Sequence, residues 1–240
     1  MGDRLKDKVV VITGAATGIG RCFSNALADE GAKLAITYRK TPCDKTVKDL
    51  KNKGAEFIEV KVDISKEEDT KNLAAKTMEK FGKIDVLINN AAVFGDLSLT
   101  PFLALDTEMW RRVIDTNING NFYMCRSIIP EMAKQKKGAI LNVGSTIWLF
   151  PKLPLIPYIT GKAAMIGFTR CLAADPTCVE SNIRVNCLMP GGTWDEATIG
   201  ILGNVPGAEQ QVIEGQNIKR RLMPEDLVEP MIFLVTDSSG

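Results

Sequence analysis

Val9-Val10-Val11-Ile12-Thr13-Gly14-Ala15-Ala16-Thr17-Gly18-Ile19-Gly20 is the stretch whose reading decides how this chain folds. Its first four residues are apolar and β-branched, the composition of a short strand buried on both faces. Three glycines follow, and a segment with helical spacing occupies residues 21–30. A strand that passes through a glycine-rich turn into a helix gathers backbone N–H groups and the positive end of the helix dipole at one point. Glycine lets the chain turn tightly there and lets a pyrophosphate approach the backbone. A Gly-rich turn at a helix start is commonplace by itself. The strand–turn–helix context is what gives this one meaning.

The same alternation continues outward. Strands are expected at residues 33–37, 57–62, 85–88, 138–143 and 183–188, and helices at 44–53, 66–81, 107–135, 157–174 and 224–235. Alternating strands and helices imply βαβ units with right-handed crossovers. The expected fold is α/β: a doubly wound parallel sheet with helices on both faces. No Pro/Ser/Gly-rich linker and no internal repeat divides the chain, so residues 1–240 read as a single dinucleotide-binding and catalytic domain. Residues 191–218 are the least regular and follow a strand end, the place for a substrate lid.

Composition removes several function classes. Thirty basic and 29 acidic residues leave a net charge of +1, so no global field attracts nucleic acid or an anionic membrane. The Lys-rich runs at 45–53 and 134–137 read as solvated surface. The chain has no histidine. That excludes a Ser-His-Asp hydrolase, a Cys-His protease and a zinc site with imidazole ligands, and no metal is expected. The six cysteines form no C-x-x-C pair and read as buried free thiols in a reducing compartment. The N-terminus has no apolar targeting region, no run approaches a membrane span, and Lys6 stands where a myristoylation site needs Ser or Thr. A cytoplasmic protein is expected.

Proton chemistry near neutral pH must then use other side chains, and one pair stands out. Tyr158 and Lys162 are four residues apart on an expected helix and share a face. An ammonium near a phenol favours the phenolate, lowering the Tyr pKa from about 10. In isolation Y-x-x-x-K is an ordinary surface pair. Ser145, just beyond the fifth strand, offers a hydroxyl to polarise a substrate oxygen, or a plain helix cap. Asn117 lies near Asn119, Gly120 and Asn121 in the long helix, where poor helix formers predict a kink. A carbonyl freed at Asn117 would hold a water leading to Lys162, unless Asn117 is only a tolerated polar residue.

The glycine spacing is G-x-x-x-G-x-G, not the common G-x-G-x-x-G. It resembles the T-G-x-x-x-G-[IL]-G pattern of the short-chain dehydrogenase/reductase family, a Rossmann-like branch. Asn89-Asn90-Ala91-Ala92 resembles that family's N-N-A-G motif with Ala92 for Gly, and Pro190-Gly191 resembles its P-G motif. The resemblance spans about residue 7 to 240. It implies an Asn-Ser-Tyr-Lys tetrad of Asn117, Ser145, Tyr158 and Lys162. Tyr158 would be the general acid/base and Ser145 would orient the substrate oxygen. Lys162 would hold the nicotinamide ribose and Asn117 a relay water. It further implies a dinucleotide site of Gly14, Thr17, Gly18, Ile19, Gly20, Tyr38, Arg39, Lys40, Asp63 (against adenine), Ile64, Asn90, Ala91, Pro190, Gly191 and Thr193, with Tyr158 and Lys162.

Two departures accompany it. Asp195 stands where the family has a carboxamide-binding Thr. The sequence ends at Ser238-Ser239-Gly240, before the family's seventh strand, so either the sheet lacks that edge or the chain is cut short. A homotetramer is implied, or a homodimer, with the long helix and the Tyr158 helix at an interface.

The second strand ends at Thr37-Tyr38-Arg39-Lys40 without the acidic residue that binds an adenosine ribose diol. Arg39 and Lys40 suit a 2′-phosphate, so NADP is expected, with NAD possible; Thr17, where a basic residue would help, argues the other way. Phe94, Ile147, Trp148, Leu153, Met189 and Trp194 would line an apolar substrate pocket. The leading expectation is oxidoreduction of a hydrophobic or aromatic secondary alcohol and its ketone. A 3-oxoacyl-carrier ketoreductase is the alternative, with Arg111, Arg112 and Arg126 as a docking patch. A non-catalytic dinucleotide-binding regulator is the third reading.

Overall fold

The computed structural model describes residues 2–239. Val10 and Ile12 of β1 (Val9–Ile12) face one side of the sheet and Val11 the other, and all four β1 residues are buried. β1 pairs in parallel with β2 (Lys33–Tyr38) and with β4 (Val86–Asn89), placing Val11 between Ala35 and Leu87. β3 (Phe57–Lys61), β5 (Gly138–Val143) and β6 (Ile183–Leu188) complete a six-stranded sheet of order β3-β2-β1-β4-β5-β6, every pairing parallel. The chain runs outward in both directions from β1 and β4, so a crevice opens at their carboxyl ends.

The helices fall on both faces. Phe23 and Leu27 of α1 (Gly18–Asp29), Leu50 of α2 (Asp44–Asn52), and Met231 and Ile232 of the last helix pack with Val10 and Ile12. On the opposite face Leu73 of α3 (Glu67–Phe81) and the buried residues of the helix at 120–135 pack on Val11 and Ile140. Burial of some twenty side chains per face, each worth about 1.5–3 kcal/mol when fully buried, is what fixes the register of these elements.

The expected helix at 107–135 is in two pieces, α4 (Thr107–Ile114) and α5 (Gly120–Gln135), joined by one π turn over Asp115–Asn119. The kink expected from Asn117–Gly120 therefore takes the form of a bulge within a continuing helix. α6 (Ile156–Ala173) follows β5, and a short α7 (Pro176–Glu180) follows it unexpectedly. Its signal was in the sequence: Asp175 caps Thr177 N at 2.9 Å and Pro176 opens the turn. Residues 191–218, expected to be irregular, hold α8 (Glu196–Leu202) and α9 (Ala208–Glu214). Residues 224–227 form a 3-10 turn before α10 (Val228–Val235).

A buried polar chain sets α6 against the sheet. Asn89 Nδ2 donates to Asn142 Oδ1 at 2.9 Å, and Asn142 Nδ2 donates to Thr169 Oγ1 at 2.9 Å. Such a link is costly to break, because each buried amide would lose its partner. It ties the second half of α6 to β5 and, through Asn142, to β4. All six cysteines are unpaired, but Cys171 is exposed, contrary to the expectation of burial: it lies on the outer face of α6. Among the described residues no helix is long and apolar enough to cross a membrane.

Candidate active site

At the end of β1, Gly14 and Gly18 sit at φ of 69° and 55°, a region that favours glycine. At Gly20 a Cβ would lie 2.1 Å from the Gly14 carbonyl oxygen and 2.6 Å from Asn90 Nδ2, so only glycine lets α1 start this close to the turn. The turn is clasped to the end of β4. Asn90 Nδ2 donates to the Thr13 and Gly14 carbonyls at 3.0 and 3.1 Å, and Thr13 Oγ1 accepts from Asn90 N and Ala91 N at 3.0 Å each. The Gly18 amide donates to Glu196 Oε2 at 2.9 Å. An oxyanion of the chain's own thus lies at the N-terminus of α1, the place and chemistry a dinucleotide pyrophosphate requires. These residues fit that group.

A cleft of about 900 Å³ runs from this turn along the switch point of the sheet. Tyr38, Arg39, Lys40 and Ile64 line one end; Ser145, Tyr158 and Lys162 line the other. Gly14, Thr17, Gly18, Ile19, Gly20, Asn90, Ala91, Pro190, Gly191 and Thr193 lie between or beside them. Asp63 departs from the expected set. Its Oδ1 accepts from Ser65 Oγ at 2.6 Å and Ser65 N at 3.1 Å, and it lines an adjoining depression that shares Arg39 and Lys40 with the cleft.

Ser145 follows β5 and caps a 3-10 turn over Thr146–Trp148. Its Oγ accepts from Ile147 N at 3.2 Å and donates to the Pro190 carbonyl at 3.4 Å. Tyr158 lies in the first turn of α6, its ring 4.5 Å from that of Phe94. Lys162 is buried one turn on, 5.7 Å from the Tyr158 ring centroid, and Nζ donates to the Val143 carbonyl at 2.6 Å. The expected pull of Lys162 on the phenol does not prevail. Lost solvent pushes the Tyr158 phenol above its ordinary value, and the Asp195 carboxylate raises it further. The same loss of solvent brings the Lys162 ammonium down to about 8.

Asn117 sits behind the cleft, not on it. Its Oδ1 accepts from Val93 N at 2.7 Å and its Nδ2 donates to the Val93 carbonyl at 3.2 Å, a two-point clasp on the residue before Phe94. In the π turn the Asn117 carbonyl accepts from Asn121 Nδ2 at 2.6 Å, which leaves its second lone pair for another donor.

Of the expected pocket residues Phe94, Ile147 and Leu153 line the cleft. Trp148, Met189 and Trp194 do not. Trp194 is buried under α8 and α9 with Leu202 and Ala208, and the Arg221 guanidinium lies 5.9 Å from its ring. Trp148 is half-buried, its indole Nε1 enclosed without a hydrogen-bond partner, and Met189 is partly exposed beside Gly144. Sequence reasoning missed Leu202 and Val212, which α8 and α9 bring to the cleft, while Asp195, noted where the family has a carboxamide-binding Thr, lines it as well. Asp195 caps α8 by accepting from Thr198 N at 2.9 Å, and the acidic pair before an Ala-Thr step was a legible helix start.

This arrangement can hold a dinucleotide along the switch point and exchange a proton at Tyr158. Comparison with known proteins gives the family. Residues 8–199 match the family model described as short chain dehydrogenase. The cattle protein named dehydrogenase/reductase SDR family member 4 is 32% identical over 240 residues, covering 98% of this chain and 83% of that protein. The 3-oxoacyl-[acyl-carrier-protein] reductase FabG of Staphylococcus epidermidis is 29% identical, covering 97% and 93%. The solved structure of an NAD+-bound xylitol dehydrogenase superimposes with a TM-score of 0.89 at 27% identity, covering 98% and 94%. The chain belongs to the short-chain dehydrogenase/reductase family: it is an oxidoreductase that binds a nicotinamide dinucleotide and acts on a small alcohol or carbonyl compound.

Proposed function

We propose that the chain interconverts a hydrophobic or aromatic secondary alcohol and its ketone, with NADP as its preferred cofactor, and that residues 1–240 form one catalytic domain with 191–218 as its lid. The observation that carries this reading is one continuous cleft. It joins the cations Arg39 and Lys40 to the Ser145, Tyr158 and Lys162 cluster and is walled there by Phe94, Ile147 and Leu153.

In this reading Tyr158 Oη donates a proton to the carbonyl oxygen during reduction and accepts one from the alcohol during oxidation. Ser145 Oγ donates to the same oxygen; its bond to Pro190 is long enough to give up. Lys162 Nζ keeps Val143 as one partner and has two donors left for ribose hydroxyls. Asn117 is a positioning residue, fixing Val93 and thereby the Phe94 ring that packs on Tyr158. A dinucleotide held by the glycine turn and Lys162 would supply or accept the hydride, and its positive nicotinamide when oxidised would favour the Tyr158 phenolate.

A 3-oxoacyl-carrier ketoreductase is the second reading, supported by the similarity to the Staphylococcus epidermidis enzyme. Its expected docking cations are partly taken: Arg112 pairs with Asp96 at 2.7 Å and Arg126 with Glu67 at 3.4 Å. A panel of ketones, alcohols and acyl thioesters, followed by nicotinamide absorbance with each cofactor, separates the two. Tyr158→Phe is expected to abolish turnover while dinucleotide affinity stays within about twofold. Near wild-type turnover in that variant would overturn the assignment.

A further inference from the structure

The cleft is lined by four cations and a single carboxylate among the described residues: Arg39 and Lys40 at one end, Lys152 and Lys162 at the other, and Asp195. Asp195 enters from α8, whose N-terminus abuts the glycine turn. Oδ1 caps Thr198 N, while Oδ2 is turned into the cleft, 2.5 Å from where a Cβ on Gly18 would stand. The same carboxylate acts electrostatically on the Tyr158 phenol, so its charge is felt where the redox chemistry is proposed to occur. Next to it, Glu196 accepts from the Gly18 amide at the phosphate-binding turn. Ala197 packs against Gly95 on the far wall, which holds α8 across the opening.

A nicotinamide ring carries one positive charge when oxidised and none when reduced. The rest of the dinucleotide is the same in both forms, including its phosphates. A fixed carboxylate in the cleft therefore repels the phosphates of both forms alike but attracts only the oxidised ring. We infer that Asp195 is a specificity-determining residue that makes this cleft bind the oxidised dinucleotide more tightly than the reduced one. The inference rests on the proposed function in taking the cleft as the dinucleotide site. Glu196 acts differently. It competes for the backbone donor that a phosphate would use, and that competition is blind to redox state.

The test is calorimetric titration of the full chain with NADP+, NADPH, NAD+ and NADH, on wild type, Asp195→Asn and Glu196→Gln. Asparagine serves as well as aspartate at a helix N-cap, so Asp195→Asn removes the charge and keeps α8. The expected result is that Asp195→Asn lowers the ratio of reduced to oxidised Kd roughly fivefold, about 1 kcal/mol. Glu196→Gln is expected to tighten both forms by the same factor and leave the ratio alone. A merely structural role for Asp195 would move both Kd values together, and an unchanged ratio in Asp195→Asn overturns the inference. If wild type binds none of the four dinucleotides, the proposed function falls and takes this inference with it. If wild type binds and only the Asp195→Asn ratio fails to move, the proposed function stands.

Discussion

Lys162→Met is expected to make the protein more stable at neutral pH while destroying its activity. Lys162 is 6% exposed, and burial holds its ammonium at about 8 where the unfolded chain has 10.5. Each pH unit between those values is worth about 1.4 kcal/mol, so keeping the proton on a buried Nζ costs about 3 kcal/mol at pH 7. Methionine fills the space of the lysine stem without a charge. Its cost is the Val143 carbonyl, which loses a donor at 2.6 Å, about 1 kcal/mol. The net expectation is a gain of about 2 kcal/mol at pH 7.

The pH dependence makes this more than a sign. Below pH 8 the folded and unfolded chains both hold the proton, and the folded state bears the full cost. Between 8 and 10.5 the folded protein has released it while the unfolded chain still binds it, so wild-type stability climbs with pH relative to the variant. Above 10.5 the cost is gone and only the lost Val143 bond remains, which leaves the variant slightly less stable. Urea unfolding of both proteins at pH 7 and at intervals up to pH 10.5 reads the difference directly; groups that titrate alike in both cancel. A variant less stable than wild type at pH 7, or a difference that does not change with pH, would refute the reasoning.

If NADP is preferred as proposed, Arg39→Asp should cut the NADP/NAD ratio of kcat/KM at least tenfold, since it would remove the cation assigned to the 2′-phosphate and supply a carboxylate for a ribose diol; steady-state kinetics with both cofactors decide it. Gly20→Ala should abolish dinucleotide binding and lower stability by about 1–3 kcal/mol, because the new Cβ meets the Gly14 carbonyl and Asn90 Nδ2, both anchored groups. Calorimetry with NADPH and urea unfolding measure the two effects, and a variant that binds normally would refute the steric argument.

Why the fold was legible and half of the substrate pocket was not follows from the range of the interactions involved. Val9–Ile12 is a run of β-branched residues whose burial on both faces is a local property of the sequence, and the later strands carry short apolar runs of the same kind. Gly14, Gly18 and Gly20 are likewise dictated by backbone geometry within a single turn. Ser145, Tyr158 and Lys162 meet because β5 and α6 are consecutive elements, so spacing alone nearly places them. Trp148, Met189 and Trp194 were misjudged because proximity in sequence to Ser145 or Pro190 says nothing about which way a side chain leaves an irregular turn. Trp194 turns inward only because Leu202 and Ala208 of α8 and α9 cover it, and those helices are too short for periodicity to announce. The bonding of Asn117 had the same blind spot: the kink was readable, but not that Asn121 Nδ2 would donate to its carbonyl or that its side chain would clasp Val93.

The opposite displacements of Tyr158 and Lys162 have one cause and point to one requirement. Lost solvent raises the phenol and lowers the ammonium, so the chain by itself disfavours the phenolate–ammonium pair that alcohol oxidation would use. If Tyr158 carries the proton as proposed, the site built by these residues is set to donate, as reduction needs. Asp195 makes the phenolate harder still to form, yet it is the one group in the cleft that favours a cationic nicotinamide. A positive ring beside Tyr158 would then offset both burial and the carboxylate. The protonation state of Tyr158 and the redox state of the dinucleotide are coupled through a single side chain, and Asp195→Asn should loosen that coupling.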